Sequence, residues 1–346
     1  MNLSAPIIGA VLIPAFGALF AADHPQAEIS NGLVKAKLYL PDSAAGFYRG
    51  TRFDWSGVIS NLEAGGHTYF GAWFKAHDPG ILDVAFVPAL DGFAAGTPSA
   101  ALGPVEEFTN PIGYEDAAAG GAFIKIGVGV LRKPQEPEYA WSTRYEIVDP
   151  GKWKVRKQPD SIEFQQEING PSGYAYVYRK TISLSPGKPG MILEHSLKNT
   201  GRQVIETPVY NHNFLVMDDQ PSGPDFVIKV PFEIQPARDS LGVLEVRGKE
   251  VVFARELVED ERAMITVAGF SGEPKDYDIR VENRKTGAGV RITADRPLAR
   301  FVVWSVRPTR CPEPFINVRV EPGAEFTWRI SYEFYSNGGQ SRMPLR

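Results

Sequence analysis

Residues 195–214 read HSLKNTGRQVIETPVYNHNF, and the reading of this stretch decides the fold. Its approach alternates, placing Leu193, His195 and Leu197 on one face of a half-buried strand. Asn199-Thr200-Gly201 supplies turn chemistry, and Val204, Glu206 and Pro208 lead into a second strand. That strand then carries Tyr210, Asn211, His212 and Asn213 in succession, four hydrogen-bonding side chains where an ordinary strand alternates. Consecutive polar positions of this kind mark the wall of a pocket.

Outward from there the chain repeats the strand pattern. Ala27 to Leu40 alternates around Asn31-Gly32, a strong hairpin signal. Further strands are expected at 123–131, 144–148, 161–167, 173–184, 190–197, 226–230, 243–253, 264–270, 277–283, 289–294, 299–306, 316–320 and 325–335. No internal repeat, low-complexity linker or helix-period segment longer than about two turns interrupts them. The expectation is therefore all-β, a large antiparallel β-sandwich occupying 23–346 as a single domain. Residues 76–116 are rich in Pro and Gly and read as a long loop.

Composition agrees. In 346 residues, Gly 34 and Pro 28 beside Tyr 13 and Phe 20 favour short strands and frequent turns, and 43% hydrophobic content supplies a sizeable core. A formal charge of −4 leaves no electrostatic footprint for nucleic acid or an anionic membrane. The single cysteine, Cys311, excludes an intrachain disulfide framework and reads as a small buried apolar residue. Neither a metal nor a cofactor is expected. His67 and His77 lack zinc-ligand spacing, and Asp218-Asp219 precede a Pro-Ser-Gly loop as solvated acids. The Gly127-x-Gly129 element sits inside a strand with no helix after it, unlike a phosphate loop. Ser-His-Asp catalysis lacks a Gly-x-Ser-x-Gly elbow.

The apolar run from Ile7 to Ala22 suits the core of a signal peptide and is too short to span a bilayer. Ala21 and Ala22 offer small residues for cleavage, although Met1 to Ser4 holds no Lys or Arg. Residues 1–22 thus read as a leader and the protein as periplasmic or secreted, without a membrane anchor once the leader is removed. The alternative is a buried first strand and a cytoplasmic location.

The C-terminal third adds a second element. Residues 296–305, RPLARFVVWS, form a strand, a short Pro-rich loop leads to Cys311-Pro312-Glu313-Pro314-Phe315, and Val320-Glu321-Pro322-Gly323 turns into a last long strand. Together with the His212 segment this resembles the galactose mutarotase (aldose 1-epimerase) superfamily. There, too, a strand turns and runs into a His among aromatic and Asn residues. An apolar strand ending in Trp, a Cys-x-Glu-Pro-like element and a Pro-Gly turn follow. The resemblance covers roughly 180–334 well and the N-terminal half loosely. It implies a β-supersandwich that interconverts sugar anomers, with the family's general acid falling on His212 and its base on Glu313.

The residue types suit that chemistry. Anomer interconversion takes a proton from the anomeric hydroxyl and gives one to the ring oxygen, work for a carboxylate and an imidazole. Their side chains are expected to face each other across one groove about 5–8 Å apart, a sugar's width with hydrogen-bond reach on each side. Arg52, Glu107, Asn211, Asn213 and Trp304 are the candidate sugar contacts. Residues 46–57, with aromatic rings beside Arg49, Arg52 and Asp54, offer stacking faces and planar charge, or else a surface strand in which Arg52 pairs with Asp54. The chain departs from the family pattern at an upstream His-Gly element, because no histidine falls between His77 and His195. Glu107 or Tyr114 stands there as the replacement contact, or else the pocket takes a different ligand. Two functions stay open: an epimerase acting on a free sugar or an oligosaccharide's reducing end, and a noncatalytic carbohydrate-binding protein on the same fold.

Overall fold

The computed structural model describes residues 24–74, 77–80, 88–89, 92–93, 101–136, 138–237, 239, 241–259 and 261–337. The candidate leader lies outside them, as does most of 81–100.

Period-2 burial builds the architecture. Strands such as Ser161–Asn169 and Ala175–Leu184 bury every second residue, so each offers one apolar face to an interior layer. Ten of them form one antiparallel sheet. Its order is Lys152–Lys157, Ser161–Asn169, Ala175–Leu184, Gly190–Asn199, Glu325–Ser336, Ala288–Ala294, Asp278–Asn283, Phe226–Lys229, Glu250–Phe253 and Leu244–Arg247. A second sheet has the order Arg262–Thr266, Arg300–Val306, Thr309–Val320, Ile205–Phe214 and Gly103–Phe108. A four-stranded sheet, Gln26–Ser30 through Val34–Tyr39 and Val58–Ala64 to His67–Phe70, joins the second through a Phe70–Leu215 bridge. One apolar cluster, running in sequence from Ala27 to Phe334, fills the space between these layers. Each large aliphatic or aromatic side chain fully buried there contributes about 1.5–3 kcal/mol. The fold is an all-β antiparallel supersandwich.

Residues 195–214 cross between the layers. Gly190–Asn199 belongs to the ten-stranded sheet and Ile205–Phe214 to the five-stranded one, so the Asn199-Thr200-Gly201 turn carries the chain from one face of the core to the other. Asn199 secures the crossing, its Nδ2 donating to the carbonyls of Gln203 (2.7 Å) and Val320 (2.9 Å).

Three expectations require correction. The segment 76–116 is not simply a loop: Gly103–Phe108 is a wholly buried strand pairing with Ile205–Phe214, opened by Gly103 at φ 66°, where a side chain would meet the backbone of Ile59. Residues 123–131 form a hairpin, Ala122–Lys125 with Gly129–Arg132, because Gly127 takes φ 77° and lies against Asp54. Pro312 and Pro314 lie within the strand Thr309–Val320, in register with Val303 and Phe301 on one side. On the other side the ladder to the His212 strand stops at Tyr210–Phe315 and returns only as the isolated Leu215–Arg310 bridge. The two prolines fall in that gap, where they have no N–H to give. Asn213 Nδ2 donates to the Pro312 carbonyl (2.8 Å) in place of a backbone partner.

A buried polar cluster ties the layers. The Glu106 carboxylate accepts from Lys180 Nζ and, at 2.7 Å, from His195 Nε2, both on the ten-stranded sheet, and from Asn211 Nδ2 (3.0 Å) on the five-stranded sheet. His195 is stacked parallel on Trp328, with ring centroids 4.4 Å apart. Burial works to raise the Glu106 pKa, but Lys180 and then His195 outweigh it and hold the carboxyl at about 2. Removing one member of a buried ion pair strands the other. Glu106→Gln is therefore expected to lower the unfolding free energy by about 3–5 kcal/mol in chemical denaturation, and Glu106→Leu with Lys180→Met to recover much of the loss.

Candidate active site on the five-stranded sheet

The face of the five-stranded sheet turned away from Glu106 carries a regular grid. Register places Arg300, Phe315, Tyr210 and Glu107 across neighbouring strands as one row. Two residues along, Val302 stands beside Glu313, and the Tyr210–Phe315 pair and the Leu215–Arg310 bridge together put His212 opposite Glu313. A third row holds Trp304, Cys311 and Phe214. Alternation along four antiparallel strands thus gathers two acids, an imidazole and four further rings on one face.

His212 Nε2 lies 3.2 Å from Glu313 Oε1. They share one face of the sheet, in direct contact rather than a sugar's width apart, because strand neighbours in register bring their side chains together. The imidazole is stacked on Phe214 (centroids 3.8 Å apart) and edged by Trp304 (5.4 Å) and Phe53 (5.5 Å). Burial, with Arg52 adding to it, pulls the His212 pKa well below the ordinary imidazole value. Burial pushes the Glu313 carboxyl up to about 8, against the pull of Arg52. At neutral pH the pair therefore holds a single proton, resident on Glu313.

Arg52 closes the groove from above. Its Nε donates to Glu107 Oε2 (2.6 Å) and its Nη2 to the Tyr210 hydroxyl (2.8 Å), which in turn donates to the same Glu107 oxygen (2.5 Å). The guanidinium carbon lies 4.5 Å from the centroid of Phe53 and 4.1 Å from that of Trp141. Such a planar cation held by a carboxylate and by rings is fixed in orientation. Lys125, fully buried, completes the cluster by donating to the Tyr139 hydroxyl (3.0 Å) and lying 3.5 Å from Glu107 Oε1. Burial works against ionisation of Glu107, yet Arg52 and then Lys125 hold its pKa below the usual value. Burial pulls the Lys125 ammonium down to about 8.

The structure brings together His212, Glu313, Arg52, Glu107 and Trp304. It does not bring Asn211 and Asn213 with them. Successive strand residues point to opposite faces, so these two turn to the interior, where Asn211 bonds Glu106 and Asn213 accepts from the Tyr332 hydroxyl (2.7 Å). Asp54 likewise faces inward, accepting from Tyr178 (3.0 Å) and Ser56, and so leaves Arg52 to Glu107. Tyr114 gives its hydroxyl to backbone carbonyls of Glu136 and Glu138. Of the groove residues, Arg300 and Phe315 were not singled out as sugar contacts. Their spacing from Val302 and Glu313 along paired strands is the signal that finds them. His67 and Asp218, far from this grid, pair with each other at 2.9 Å.

This architecture is that of galactose mutarotase-like proteins. The Slr1438 protein of Synechocystis sp. PCC 6803 superposes with a TM-score of 0.53 at 11% identity, over 93% of this chain and 100% of its own. A galactose mutarotase-like protein of Clostridium acetobutylicum gives 0.52 at 12% identity, over 90% and 95%. An aldose epimerase homologue of C. elegans gives 0.50 at 14% identity, over 90% and 98%. No family model matches the sequence, and no curated protein matches it. At these identities the likeness is one of fold.

Burying Glu313 has a cost that depends on pH. Between its ordinary value near 4.5 and about 8 the native carboxyl keeps a proton that the unfolded chain has lost, so stability falls as pH rises through this window. Glu313→Gln is expected to melt above the wild type at about pH 9 and level with it near pH 4, as read by calorimetry.

Proposed function

We propose that the chain interconverts the anomers of a free aldose or of an oligosaccharide's reducing end, with Glu313 and His212 exchanging the protons. The observation that carries this reading is the 3.2 Å approach of an imidazole and a carboxyl among the rings of Trp304 and Phe214. Transfer of that proton from Glu313 to His212 Nε2 creates a carboxylate and an imidazolium at constant net charge. The carboxylate then takes the proton of the anomeric hydroxyl, while the imidazolium gives its proton to the ring oxygen. The C1–O5 bond breaks as the C1 carbonyl forms. Rotation about C1–C2 and the reverse proton transfers close the ring on the other face of the carbonyl. Trp304 and Phe315 offer stacking surfaces for the sugar's C–H faces, and the fixed guanidinium of Arg52 orients a hydroxyl.

A noncatalytic sugar-binding role is the second reading, favoured by the direct His212–Glu313 contact, in which each group already satisfies the other. Polarimetry on freshly dissolved α-glucose, α-galactose and reducing oligosaccharides separates the two. Binding by titration calorimetry without faster mutarotation would favour the binder.

For the catalyst, Glu313→Gln and His212→Asn are each expected to lower kcat by about 10²–10⁴-fold. The rate should fall above about pH 8, where Glu313 loses the shared proton and His212 has none to give. It should fall again on the acid side, below the ordinary histidine range, where a second proton on the pair removes the base. The alkaline limb thus belongs to the carboxyl and the acid limb to the imidazole.

A further inference from the structure

Arg300 is the unanswered cation of the groove. It stands in register with Phe315, its guanidinium carbon 5.1 Å from that ring's centroid, and its charge acts on Glu313 from the same sheet face. The other cations there are held: Arg52 by Glu107 at 2.6 Å, and Lys125 by the same carboxylate at 3.5 Å. Among the described residues no carboxylate pairs with Arg300.

Arg300 is exposed, so an anionic group arriving from solvent can reach it.

Position fits as well. Arg300 lies one strand over and two residues along from Glu313, about 8 Å between Cα positions by ordinary sheet spacing. A pyranose with its anomeric oxygen at Glu313 carries its C5 substituent at the other end of the ring, a comparable span. Arg300 is exposed and holds its guanidinium over Phe315, two residues along from Glu313.

We propose that the ligand of this groove is an anionic sugar, its carboxylate or phosphate received by Arg300 while its anomeric centre lies at the His212–Glu313 pair. The inference rests on the groove being a sugar site, and it names the substrate class. Arg300 is the specificity-determining residue.

Anomer exchange measured by NMR on glucuronate, galacturonate, glucose 6-phosphate, glucose and galactose tests it. At low salt the anionic sugars are expected to exceed the neutral ones in kcat/KM by about tenfold, an advantage that shrinks at high salt. Arg300→Gln should raise KM for the anionic sugars about fivefold or more with kcat within about twofold, and Arg300→Lys should restore part of the loss. Any change that loss of the Arg300 charge beside Glu313 makes to kcat should be the same for neutral and anionic sugars, so the ratio of their kcat/KM values carries the test. A response confined to uronates identifies a carboxylate as the anion, and one confined to the 6-phosphate identifies a phosphate. Equal turnover of neutral and charged sugars, with no effect of Arg300→Gln, overturns the inference and leaves the anomerase reading standing. If no sugar is anomerised, titration calorimetry with the same ligands decides: Arg300-dependent binding of the anions retains the inference and overturns catalysis, and absence of binding overturns both.

Discussion

The carboxylate of Glu106 is the constraint around which the rest is arranged. It has no access to water, and it is ionised only because Lys180 and His195 reach it from one sheet and Asn211 from the other. Apolar packing between two twisted sheets tolerates small slips in register and angle, whereas a buried carboxylate with partners on both sides does not. The same six-residue strand presents Glu107, the next residue, to the opposite face, where it holds Arg52 and Tyr210. One pleat therefore transmits the position of the interior cluster directly to the groove.

The groove derives its unusual protonation from the same burial. In water a glutamate is ionised and a histidine is partly protonated at neutral pH. Here the order is inverted, with the proton on the carboxyl, because desolvation opposes charge on both groups and Arg52 adds its repulsion on the imidazole. Among the described residues neither group has an ion-pair partner but the other, and Arg52 bonds Glu107 and Tyr210 instead. The rings of Phe214, Trp304 and Phe53 exclude the water that would otherwise solvate the pair.

Much of this was legible from residue patterns. Period-2 alternation reveals the strands of the ten-stranded sheet because one of their faces is solvated and the other apolar. Asn31-Gly32 announces its own hairpin, with Gly32 at φ 85° and Asn31 accepting from Leu33 and Val34. The resemblance paired His212 with Glu313, and the chemistry of residues 46–57 and of the region without the family histidine added Arg52 and Glu107 as candidates beside them. Facing was not legible where both faces of a strand are buried. In Tyr210-Asn211-His212-Asn213 each side chain is polar, and only the partners reveal which two look into the groove. The strand Gly103–Phe108 was hidden because it begins with Gly-Pro and carries adjacent glutamates, features that read as loop until a partner for each glutamate is known. The strand expected at 316–320 in fact begins at Thr309 and takes in Pro312 and Pro314, although proline breaks a ladder. It does break one, on one side only.

That one-sided break has a mechanical meaning. Where two strands are laced by backbone hydrogen bonds, prying their side chains apart strains the lacing. Between His212 and Glu313 there is none to strain, since the ladder lapses from Tyr210–Phe315 to Leu215–Arg310 and the Asn213 side chain alone spans the interval. The sheet is in effect unbuttoned at the spot where acid and imidazole meet. Parting these two groups breaks a side-chain contact and leaves the backbone ladder on either side fastened.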